Sequence, residues 1–175
     1  MSRVSRLKVC HLATCMLATA MGFAATAIAS PPIPLAPPAS PVFFDAGVAC
    51  EFPVRLDLSG SKLHYKAFFD KNGDFVRVMI AGKGSKITVT NEDTLASLSL
   101  NAYGVSLQET ADADGIITDI FTGHIMVSMF PSDIPAGPST TLYVGRLVMT
   151  IDSNTGVSTI QSFSGKETDI CAALD

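Results

Sequence analysis

The chain has 175 residues, with twelve Lys and Arg against sixteen Asp and Glu, a formal net charge of −4, and 47% hydrophobic side chains. The acidic balance disfavours nucleic acid and anionic lipid as partners, and the length suits one domain able to bury its own core.

In chain order, Arg3, Arg6 and Lys8 precede an apolar, small-residue stretch from Val9 to Ala25, which ends at Ala27-Ile28-Ala29. Basic, apolar and small-residue zones in that order predict a secretory signal peptide over residues 1–29, cut after Ala29. A membrane anchor fits less well, because Cys10, His11, Thr14, Cys15, Thr19 and Gly22 interrupt a stretch already short of the roughly 20 apolar residues a span needs. The leader holds three of the twelve cations and no acid, so the 146 residues that remain carry a net charge of −7. No later segment is long and apolar enough to cross a membrane as a helix, and the mature product is expected to be secreted or associated with the cell envelope.

Residues 31–41 hold six prolines in eleven positions. Proline fixes φ and removes amide donors, so 30–48 is predicted to be an extended polyproline linker, serving as a tether or, less readily, as a recognition motif. The folded domain is placed at 49–175.

Two cysteines, Cys50 and Cys171, remain after the leader is lost. In an oxidising compartment they have one pairing available, and no CxxC spacing or neighbouring histidine favours a metal or catalytic role. The expected bridge joins the two ends of the domain.

From Cys50 onward, short runs rich in Val, Ile, Thr, Phe and Tyr are cut every eight to twelve residues by Gly, Asn, Asp or Pro. That rhythm predicts an all-β domain of about 8–10 short antiparallel strands, arranged as a β-sandwich or a closed β-barrel. Val54, Leu56 and Leu58 alternate with Arg55, Asp57 and Ser59, as in a strand with one wet face. Strands are also expected near 62–69, 74–81, 86–90, 95–102, 105–110, 115–122, 123–130, 140–151 and 157–164. Gly123 and Gly145 interrupt apolar runs where a sheet would bend. No stretch shows a helical period.

The chemistry-bearing residues read mostly as structural. Asp70-Lys71-Asn72-Gly73-Asp74, Asp112-Ala113-Asp114-Gly115 and Asp152-Ser153-Asn154-Thr155-Gly156 alternate oxygen donors like fragments of calcium loops, but none reaches the closing glutamate. Tight hairpin turns explain them better. His64 and His124 lie within predicted strands outside any HExxH spacing, and no GxSxG elbow is present. Gly82-Lys83-Gly84-Ser85 lacks the earlier glycine of a P-loop, since position 77 is Arg77. Glu92 and Asp93 are adjacent in a polar turn, where strand neighbours point opposite ways. The proline-stiffened loop 131–138 is an ordinary connection or the rim of a binding site. No catalytic residue, metal ligand or cofactor is assigned.

At Cys50-Glu51-Phe52-Pro53-Val54, at Gly145-Arg146-Leu147, and from Ser164-Gly165 through Asp169-Ile170-Cys171-Ala172-Ala173-Leu174, the chain resembles small secreted actinobacterial proteins of unknown function. The resemblance implies a bacterial exported protein and supplies no catalytic residue. The leading expectation is a non-catalytic extracytoplasmic domain that binds or scaffolds an envelope protein, glycan or lipid. The alternatives are a small barrel carrying an apolar ligand, and an enzyme whose site, built on His64 or His124 with an aspartate, is assembled from residues distant in sequence.

Overall fold

A computed structural model describes residues 28–37, 39–102 and 105–175. The expected leader therefore falls outside the described residues except for Ile28 and Ala29. The described chain is nearly all β, with two antiparallel sheets packed on each other. Of the two architectures expected, it is the sandwich; no closed barrel forms among the described residues.

The small sheet contains β3 (Val42–Phe44), β4 (Val54–Ser59), β7 (Lys86–Asn91) and β8 (Ser97–Asn101), in that order. The large sheet runs β1 (Ile28–Ala29), β5 (Lys62–Phe69), β6 (Phe75–Lys83), β9 (Val105–Ala111), β10 (Ile116–Met129), β11 (Ser139–Asp152) and β12 (Ser158–Asp169), with β2 (Ile33–Pro34) also on the edge of β5. A five-residue helix, α1 (Ile170–Leu174), follows β12, and the carboxylate of Asp169 caps it by accepting from the Ala172 amide at 3.0 Å. One helical turn is too short to show a period in sequence, and so it was not expected.

Two expectations need correcting. Residues 115–122 and 123–130 form one strand, β10, which continues unbroken through Gly123 in register with β11. The proline-rich segment is extended, as its prolines dictate, but it is not a free linker. Ile33 and Pro34 pair with Tyr65 and His64, Ser30 exchanges hydrogen bonds with the Ala67 backbone, and Val42 to Phe44 pair with β4. Proline is confined to sheet edges because it cannot donate, and the segment takes edge positions on both sheets.

The wet-and-dry alternation of β4 holds: Val54 and Leu56 are buried, and with Ile87, Val89 and Leu100 they make the inner face of the small sheet. Met126 and Leu142 of the large sheet pack against that face, and Ile170 and Leu174 of α1 fill one end. Asn91 joins helix to sheet, donating its side-chain amide to the Leu174 carbonyl at 3.0 Å while its carbonyl oxygen accepts from the amides of Asp93 and Thr94. Cys50 lies in this core with no exposed surface, and its sulfur stands at bonding distance from Cys171, with the Cα atoms 5.6 Å apart. The pair thus joins the link between β3 and β4 of the small sheet to the helix just after the large one.

The large sheet is strongly bent, and the bend follows a row of glycines. Gly123, Gly145 and Gly165 are directly opposite one another on β10, β11 and β12, all with φ between 111° and 149°. In a straight strand Ser139 and Thr150 would be roughly 36 Å apart. Yet Ile134, only five residues from β10 and from β11 and so within about 17 Å of each, bridges Thr159, the partner of Thr150. The β10–β11 hairpin therefore folds back over its own sheet, and Met129, Tyr143, Leu147 and Met149 form a second core on the concave side. The Tyr143 ring meets Phe163 edge-on across the glycine row, with centroids 4.8 Å apart.

Candidate functional site

Most of the acidic turns are occupied by their own backbone. The Asp70 carboxylate accepts from the amides of Asn72 and Asp74, Asp112 from Asp114 and Ile116, and Asp152 from Asn154. These are hairpin turns, and the bonds from Asn154 and Thr155 hold the Asp152 carboxyl below its usual range. The second and third turns meet at one end of the large sheet, where the Ser153 amide donates to the Gly115 carbonyl. Among the described residues no group of three or more His, Cys, Asp or Glu is arranged to hold a metal ion.

The two histidines are not brought together. His64 on β5 is exposed, whereas His124 on β10 has Nδ1 at 3.0 Å from the Asn101 carbonyl oxygen, and three strand spacings, roughly 14 Å, lie between their strands. Gly84 and Ser85 are buried in the short link from β6 to β7, and Glu92 pairs loosely with Arg55 at 3.9 Å. Loop 131–138 is pinned by buried Asp133, whose carboxylate accepts from the amides of Phe130 and Ser158. Beside the cysteine pair, Glu51, Phe52, Pro138 and Cys171 line a shallow hollow of about 150 Å³.

A feature that no local motif announced lies on the outer face of the large sheet. Register places Lys62, His64, Lys66 and Phe68 of β5 opposite Lys83, Ala81, Met79 and Arg77 of β6 on one face. The same face continues through Ser106, Gln108 and Thr110 of β9 and Thr118, Ile120 and Thr122 of β10 to Arg146 of β11 and Lys166 of β12. It carries six of the nine cations that follow residue 29. Its one carboxylate at a strand position is Asp152, at the far end, where β11 enters its turn. Among the described residues none of Lys62, Lys66, Arg77, Arg146 and Lys166 has an acidic partner. Lys66 and Arg77 instead lie over the Phe68 ring, 5.5 and 4.9 Å from its centroid.

The opposite, concave face collects the acids. Glu109 of β9 faces Asp119 of β10, with Val78 and Met149 on the flanking strands. Asp119 is 6% exposed and one of its carboxylate oxygens has no hydrogen-bond partner. Burial first, and the Glu109 charge second, raise its pKa from 3.8 to about 6. A pKa raised in the folded state means that ionising Asp119 costs stability: the cost is absent below about pH 4, grows towards pH 6 and is complete above it. Asp119→Asn should therefore flatten the fall in melting temperature between pH 4.5 and 7.5 and recover about 1–2 kcal/mol at pH 7.5 once screening is allowed for. An unchanged pH profile in thermal melts of the variant would show that Asp119 does not titrate in that window.

No family model, no curated protein and no solved structure matches this chain. Among the described residues no helix is long and apolar enough to cross a membrane, and a cysteine pair at disulfide distance is compatible with an extracytoplasmic address.

Proposed function

We propose that this is an exported, non-catalytic binding domain whose ligand is an anionic polymer of the cell envelope, held on the outer face of the large sheet. The observation that carries the reading is the segregation of charge: an acidic chain concentrates six cations, with serine, threonine and glutamine between them, on one face almost without carboxylates. Lys62, Lys66, Arg77, Arg146 and Lys166, which have no acidic partner among the described residues, need break no ion pair when an anion arrives, and neighbouring hydroxyls and amides supply further donors. A basic surface inside an acidic molecule also orients it, the rest of the surface repelling the same polymer.

An enzyme built on the histidines finds little support, since His64 and His124 stand on strands three spacings apart. A carrier with an interior cavity is likewise disfavoured, because the concave side is filled by Phe121, Tyr143, Leu147, Met149 and Phe163. The test compares dextran sulfate with neutral dextran. The expected result is binding to the sulfated polymer alone, weakening steeply between 50 and 300 mM salt, and at least tenfold weaker in Arg146→Glu/Lys166→Glu. Equal binding to both polymers, or none to either, would remove the proposal.

A further inference from the structure

Within the cationic face, β5 and β6 form a groove of about 250 Å³ lined by Pro32, His64, Tyr65, Lys66, Phe68, Met79 and Ala81. Its floor is apolar: Phe68, Met79 and Ala81 come from alternate positions of two paired strands. Its rim is cationic, with Lys66 and Arg77 both against the Phe68 ring and exposed His64 farther along β5. Pro32 forms part of the wall, and the segment carrying it is anchored on both sides, by Ser30 to Ala67 and by Ile33 and the Leu35 amide to Tyr65 and Leu63. Ser30 is the first residue left by the expected cut, so the wall belongs to the mature chain.

We infer that this groove is a binding site for a small amphipathic anion, a carboxylate carried on a short acyl chain, with the head group at Lys66 and Arg77 and the chain on Phe68, Met79 and Ala81. The assignment rests on the reading of the outer face as an anion-binding surface and narrows it to a site and a ligand class. Charge complementarity selects an anion, and the apolar floor selects one with a hydrocarbon body. At about 250 Å³ the groove is smaller than the roughly 300–1,000 Å³ of sites for drug-sized ligands, so it accepts a short chain and not a whole lipid. The apolar side chains form a recessed floor between cations, which suits a free molecule entering the groove better than a membrane receiving the protein.

The test is calorimetric titration of the mature protein with decanoate, with decanol as the neutral analogue and phosphatidylglycerol vesicles as the membrane probe. Decanoate is expected to bind one to one, with decanol at least tenfold weaker and no binding to vesicles. Lys66→Ala/Arg77→Ala should weaken decanoate at least tenfold. Ala81→Phe, which fills the groove from an exposed strand position, should abolish decanoate binding while dextran sulfate still binds. Melting curves of both variants report whether they fold. Decanoate binding that survives Ala81→Phe, decanol binding as tightly as decanoate, or vesicle binding without decanoate binding would each overturn the site. Loss of decanoate binding in the wild type with dextran sulfate binding retained refutes the groove alone, whereas loss of both refutes the face as well.

Discussion

Cys50→Ser is expected to lower the melting temperature by about 8–20 °C. A bridge between Cys50 and Cys171, 121 residues apart, removes unfolded-chain entropy worth about 4–5 kcal/mol, and near 150 residues each kcal/mol moves the midpoint by about 2–4 °C. The position adds to the effect. Cys50 is completely buried among Ile170, Leu174 and Val54, so a serine hydroxyl would sit in an apolar core. The link also fastens α1 to the small sheet, beside the bond from Thr140 Oγ1 to the Ala49 carbonyl at 2.9 Å. Thermal melts with and without reductant decide the matter: wild type should lose stability on reduction and Cys50→Ser should not. A wild type indifferent to reductant would show that the sulfurs are not bonded in solution.

Gly145→Ala should cost about 3 kcal/mol or more, and it tests how the large sheet bends. At φ +149° a side chain is strained by about 1–3 kcal/mol, and a Cβ built at Gly145 would overlap the Ser164 carbonyl oxygen on β12, whose backbone must then move. The overlap is mutual, since a Cβ at Gly165 would meet the Val144 carbonyl oxygen. Gly156 is the control: its φ of +75° strains an alanine too, but nothing lies within 4 Å, so Gly156→Ala should cost only about 1 kcal/mol. Urea denaturation of the two variants gives the comparison. Equal losses would mean that the close approach of β11 and β12 at the glycine row is not what the fold depends on.

Local sequence determined the β class, most strand positions, the hairpin character of the Asp-Gly and Asn-Gly turns, and the one available cysteine pairing. Each of these depends on signals within a few residues, such as alternation, turn chemistry or a count of two. Lys62, His64, Lys66 and Phe68 alternate visibly within β5, but the face they belong to is set by β6, β9, β10, β11 and β12. Pairing partners up to 41 residues away, as Phe69 is from Ile28, cannot be read from period-two alternation. Gly123, Gly145 and Gly165 illustrate the same limit, being isolated interruptions in the chain and a single fold line only once register aligns them. Tertiary structure alone decided sandwich over barrel, laid the proline-rich segment along two sheet edges, and separated the cations of the outer face from Glu109 and Asp119 on the concave one. The physical reason is that strand identity is a local property of the chain, whereas register, curvature and the company each side chain keeps are properties of paired strands.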